Sequence, residues 1–131
     1  MQRDNLNLIT RVELIEAPGS AGIVIGLNKL LKQPGIEFLT ILNYCWNGGE
    51  WHQKPYKCSI GFRESDSTET GLVAVSLDEK SIFSLTYTIN EFLKQHPNSV
   101  RDITYLSRVI NPKNSVAPET TFHSALIVYS P

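Results

Sequence analysis

The sequence predicts an α+β fold, built as two β-α-β-β pseudo-repeats forming a mostly antiparallel sheet with two helices on one face. Three observations carry this reading. First, "LNKLLKQP" at 27–34 resembles "INEFLKQHP" at 89–97: Leu27 matches Ile89, Asn28 matches Asn90, and Leu31-Lys32-Gln33 matches Leu93-Lys94-Gln95. Second, the flanking segments recur in the same order. "VELIEAPGS" and "VAVSLDEKS" each read as strand then break, and "IEFLTILNYCW" and "RDITYLSRVI" each read as an apolar strand. "YKCSIGFRE" and "FHSALIVYS" close each unit. An ordered recurrence of this kind marks a repeated supersecondary unit. Third, 131 residues is the size of one domain. The whole chain, 1–131, is therefore read as a single domain with halves at about 7–64 and 72–130.

Residues 7–16, "NLITRVELIE", are β-branched and partly alternating, as in a strand. "APGSAG" breaks it, and Ser20 is placed to cap a following helix. Ile23, Leu27, Leu30 and Leu31 then fall on one helical face. "KQPG" stops that helix with basic and breaker residues. Residues 36–46 are apolar on both faces, the pattern of a central strand. Residues 56–64 and 72–77 are further strands. Residues 78–97 fit two templates. Ile82, Leu85, Ile89, Phe92, Leu93 and His96 make a helical stripe, while 83–89 also alternate like a strand. The pseudo-repeat selects a helix over 79–96. The last two strands run over 101–110 and 122–129.

Two long connections follow from this scheme, at 47–55 and 111–121. Asn47-Gly48 is a good two-residue hairpin turn. Used so, however, it would set Tyr44 opposite Trp51 and put Pro55 inside a strand, where it cannot donate a hydrogen bond. The matching segment "NPKNSVAPETT" has two prolines and cannot turn tightly.

Composition narrows the function classes. Charged residues are 19% and the formal net charge is −1, so no bulk field draws the chain to nucleic acid. No apolar run is long enough to span a bilayer. "MQRDNLNLIT" lacks the blocks of a signal peptide, so a cytoplasmic location is expected, with Cys45 and Cys58 as free thiols. Strands apolar on both faces, with only two helices to cover them, predict a homo-oligomer.

The segment "NYCWNGGEWHQKPY", 43–56, holds both tryptophans. Aromatic side chains are the commonest interface anchors. Tyr44, Trp46, Glu50, Trp51, His52 and Arg63 are therefore the candidate binding residues. The function expected is capture of a small molecule or partner protein without catalysis. The alternative is a small cofactor-free isomerase or lyase, with His52 or His123 and Glu50 as acid and base. The three histidines have no metal-ligand spacing, so no metal or cofactor is assigned. Arg63, Arg101 and Arg108 could hold an anion if their strand ends converge. "APGSAGIVIG", 17–26, lacks a phosphate-loop pattern and is read as a packed helix start. His96 is expected to interact with its helix C-terminus, and His123 to be a satisfied core or interface residue.

Overall fold

A computed structural model of the chain describes residues 3–47, 53–66, 68–110 and 120–131. After a 3-10 turn, Arg3–Leu8, come β1 (Arg11–Ala17), α1 (Ser20–Leu31), β2 (Ile36–Trp46) and β3 (Tyr56–Glu64). The same order follows in β4 (Val73–Glu79), α2 (Ile82–Gln95), β5 (Val100–Ile110) and β6 (Thr120–Tyr129). This is the α+β, twice β-α-β-β order expected, and residues 82–95 are helical. Ser81 caps α2 by accepting the Ser84 N–H at 3.0 Å, and Leu85 and Ile89 form its buried face. His96 follows as C-cap, its Nδ1 3.1 Å from the Phe92 carbonyl.

The arrangement is more specific than one sheet carrying two helices. The strands pair antiparallel as two three-stranded sheets, β1-β3-β2 and β4-β6-β5, so the third strand of each unit takes the centre. The edges β2 and β5 run side by side in the same direction, from Thr40 and Ile41 beside Asp102 to Trp46 beside Arg108. Both edges are irregular here. Pairing of β2 with β3 skips Leu39 and Leu42, and pairing of β5 with β6 skips Arg101. Bulges twist a strand and interrupt its ladder. The Asp102 side chain then supplies the acceptor that a backbone ladder would have supplied, taking the Ile41 N–H at 2.7 Å. The centrality expected of 36–46 thus belongs to β3 and β6. The "FLTIL" run of β2 has apolar residues on both faces because the bulge residues Leu39 and Leu42 break the alternation.

The sheets face each other across one core. Ile41, Tyr44, Cys58, Ile60 and Phe62 of the first sheet share it with Ala74, Leu106, Leu126 and Val128 of the second. α1 fills the side away from the β2–β5 contact, burying Ile23, Leu27 and Leu31 in this core. It touches both β1 and β4. Its Asn28 completes the free edge of β4: Nδ2 donates to the Ala74 carbonyl at 3.2 Å and Oδ1 accepts the Ala74 N–H at 2.7 Å. That is a side-chain substitute for a strand neighbour. α2 instead covers the outer face of the second sheet, where Leu85 and Ile89 meet Ala125, Leu77 and Ile103. β6 is therefore sealed on both faces. Among the described residues no α-helix covers the outer face of the first sheet; Ile9 packs there over Gly61, while Val12 and Leu14 are more than half exposed.

Candidate functional site

The registers bring four strand ends and two strand starts to one pole. Ala17 and Trp46 both oppose Tyr56, Glu79 opposes His123, and Ile110 opposes Thr120. The connections 47–55 and 111–119 leave from this pole. Trp46 opposite Tyr56, extended by the Asn47 N–H donating to the Pro55 carbonyl at 2.8 Å, fixes the two strands on either side of the 47–55 connection. Tyr44 lies opposite Cys58, so the two-residue Asn-Gly hairpin does not form.

The candidate residues fall into three groups. Tyr44 and Trp46 stand at this pole, on the inner face of β2. Arg63 is near the far end of β3, on the outer face, ion-paired with Glu37 through Nε at 3.0 Å and also through Nη2. Glu50, Trp51 and His52 lie outside the described residues. Arg101 is exposed at the start of β5, also away from this pole. The three arginines therefore do not converge.

Arg108 alone reaches the pole's interior. Its guanidinium carbon lies 5.4 Å from the Trp46 ring centroid, 5.4 Å from that of Tyr56 and 5.3 Å from that of Phe122. Each contact is within cation–π range. Among the described residues no carboxylate is ion-paired with Arg108. Two buried N–H groups of this cluster, Trp46 Nε1 and Arg108 Nε, find no acceptor among them. Buried donors left unpaired are uncommon and ask for an explanation.

A chain of hydroxyls runs beside this cluster. The Tyr44 hydroxyl donates to Ser124 Oγ at 2.9 Å, because Ser124 spends its own proton on Asp78 Oδ1 at 2.6 Å. Ser20 donates to the other oxygen, Asp78 Oδ2, at 2.8 Å. Ser20 is thus the first residue of α1 and not its cap; Gly19 is the N-cap. Asp78 offers Ser20 a charged acceptor and sets a negative charge at the helix N-terminus, where the dipole favours one. The helix start at 17–26 is close-packed, as expected. A Cβ on Gly22 would meet Ala17 Cβ at 2.7 Å.

Burial, partly offset by the Ser124 hydrogen bond and reinforced by Asp78, pushes the Tyr44 phenol well above its ordinary range. It remains a neutral donor at physiological pH. Burial also raises Tyr56, against the pull of the Arg108 guanidinium beside it. The Cys58 thiol is pushed up to about 12, chiefly by burial, which makes it a poor nucleophile. Both cysteines are free. His123 accompanies neither Tyr44 nor Arg108. It projects from the opposite face of β6, with Nδ1 2.7 Å from Ser107 Oγ.

An open depression of about 440 Å³ lies at the other pole, lined by residues including Arg11, Gly35, Glu64 and Asp66. Its arginine is already paired with Glu13, and none of the buried unpartnered atoms lies there. The Trp46–Arg108 cluster is therefore the better candidate. Sequence reasoning named Trp46, Tyr44 and Arg108, but not Tyr56, Phe122, Asp78 or Ser124. These come from three strands, β3, β4 and β6, that only the tertiary fold assembles. The chain matches no protein-family model, no curated protein and no solved structure.

Proposed function

We propose that this chain is a non-catalytic binding protein, capturing a small molecule or a partner protein at the pole that carries the 47–55 loop. The observation that supports this best is Arg108, a cation held among three aromatic rings with no carboxylate partner among the described residues. Rigid aromatic and arginine side chains are the groups that dominate binding energies. The catalytic alternative, with His52 or His123 and Glu50, has less support. His123 faces away from the cluster, and the Tyr44 and Cys58 side chains are held protonated.

Native mass spectrometry of the purified chain tests the reading by detecting a co-purified small molecule or protein. Trp51→Ala is expected to weaken that association by about 2 kcal/mol, as loss of a hot-spot aromatic does. Its unfolding free energy should stay within about 0.5 kcal/mol of wild type, the usual range for surface positions. A loss of several kcal/mol in chemical denaturation would instead make Trp51 architectural and sink its assignment to the site.

Self-association belongs to the same proposal. Val12 and Leu14 leave an apolar strip on the outer face of the first sheet, next to the Glu16–Lys57 ion pair. A second copy is the occupant proposed for it. Light scattering should find an oligomer at micromolar concentration that Leu14→Glu dissociates. A monomer mass at high concentration would contradict this.

A further inference from the structure

The Trp46–Arg108 cluster holds two donors without an acceptor among the described residues, beside a Tyr56 hydroxyl that also engages the Arg108 side chain. Trp46 Nε1 and Arg108 Nε are both buried, belong to side chains in contact, and find no hydrogen-bond partner among the described residues. Neither group can change role: an indole N–H and a guanidinium N–H only donate. Rings of Trp46, Tyr56 and Phe122 surround the guanidinium at closely similar distances, leaving little more than its rim for hydrogen bonds. What completes such a cluster is a group with two acceptor oxygens in one plane, bearing negative charge. A carboxylate meets that description, because its oxygens match the fork of an arginine.

The number of charges is constrained as well. The Asp78 carboxylate lies one hydroxyl away from Tyr44, through Ser124, and the Tyr44 ring centroid is 6.5 Å from that of Tyr56, one of the rings around Arg108. A doubly charged phosphate ester would face repulsion from that carboxylate with one cation to offset it. A monoanion faces less of it.

Resting on the binding reading above, we infer that the site takes a small-molecule monocarboxylate, bound by Arg108 Nε and Trp46 Nε1 among the rings of Tyr56 and Phe122. The charged end is fixed by these two donors and the rings provide the apolar walls.

The test uses the full ¹⁵N-labelled chain and three probes: benzoate, its neutral counterpart benzamide, and the dianion phenyl phosphate. The readout is the Trp46 indole N–H resonance, assigned by its disappearance in Trp46→Phe. Benzoate is expected to move that resonance saturably at millimolar concentration, with benzamide and phenyl phosphate binding more weakly. Trp46→Phe keeps an aromatic ring and deletes the donor; followed through the backbone amide resonances of Tyr56 and Arg108, its benzoate binding should be weaker by about ten-fold, the worth of a hydrogen bond to a charged group. Arg108→Lys keeps the charge and loses the fork, and should weaken it at least as much.

Equal shifts with benzamide and benzoate would overturn the inference while leaving the binding reading intact. Tighter binding of phenyl phosphate would overturn the choice of a monoanion. If no probe moves the resonance, the inference fails, and the co-purification experiment decides the broader reading separately. A shift of the Trp46 resonance on Glu50→Gln or Glu119→Gln, without any probe, would show that the chain supplies its own acceptor and would also overturn it.

Discussion

Phe62→Ala is expected to destabilise the folded chain by about 4 kcal/mol, the usual range for truncating a buried phenylalanine. Phe62 is fully buried on the central strand of the first sheet. Its ring meets Phe38, directly across the ladder, edge to face at 6.2 Å between centroids and 76° between planes. The same core holds Ile60, Leu27 from α1, and Leu126 and Val128 from the opposite sheet. Truncation would open a cavity that two sheets and a helix border, and none of the three can close it without disturbing the other two. Phe83→Ala is the control. It is 85% exposed on α2 and should change stability by no more than about 0.5 kcal/mol. Urea denaturation of both variants checks the pair. Similar losses in the two would mean that the sheets do not share one core.

The pseudo-repeat was legible because it rests on local chemistry. A stop after a helix, an Asn one residue into a stripe and an apolar strand are written in consecutive residues. The internal match settled 82–95, which periodicity alone left between two templates. Three things were not legible. The break between two sheets depends on bulges at Leu39 and Leu42, and "FLTIL" looks the same with or without them. The helix positions were hidden because α1 and α2 stand in matching places in the chain, yet one enters the core and the other covers an outer face. Asn28, which matches the exposed Asn90, gives no sign from sequence that it completes the edge of β4. The site was half legible. Trp46 and Tyr44 stood out as aromatics beside a loop, but Arg108, Tyr56 and Phe122 meet only because β2 and β5 lie side by side. Their sequence separation leaves no local trace.

Asp102→Ala is expected to cost about 3 kcal/mol, the high end for stranding a buried donor. Asp102 is 4% exposed at the seam between the sheets. Its Oδ2 accepts the Ile41 N–H at 2.7 Å and the Thr40 hydroxyl at 3.0 Å. With the carboxylate gone, the Ile41 N–H is left inside the protein without its acceptor, at the point where β2 and β5 are closest. The stranded donor, and not the lost charge, sets the loss. Asp102→Leu should therefore rescue nothing, although a buried charge can often be replaced by an apolar group of similar size without penalty. Asp102→Asn should lose less, about 1–2 kcal/mol, because its amide oxygen still accepts the Ile41 N–H. The cost that remains comes from the amide nitrogen, which must occupy the position of Oδ1, an atom with no partner. Thr40→Val combined with Asp102→Ala should cost less than the sum of the two, since each removes the same hydroxyl–carboxylate bond. Chemical denaturation of the series separates the explanations. If Asp102→Leu is as stable as wild type, packing alone joins the sheets. If Asp102→Ala costs under about 0.5 kcal/mol, the side-chain bridge contributes nothing to holding β2 against β5.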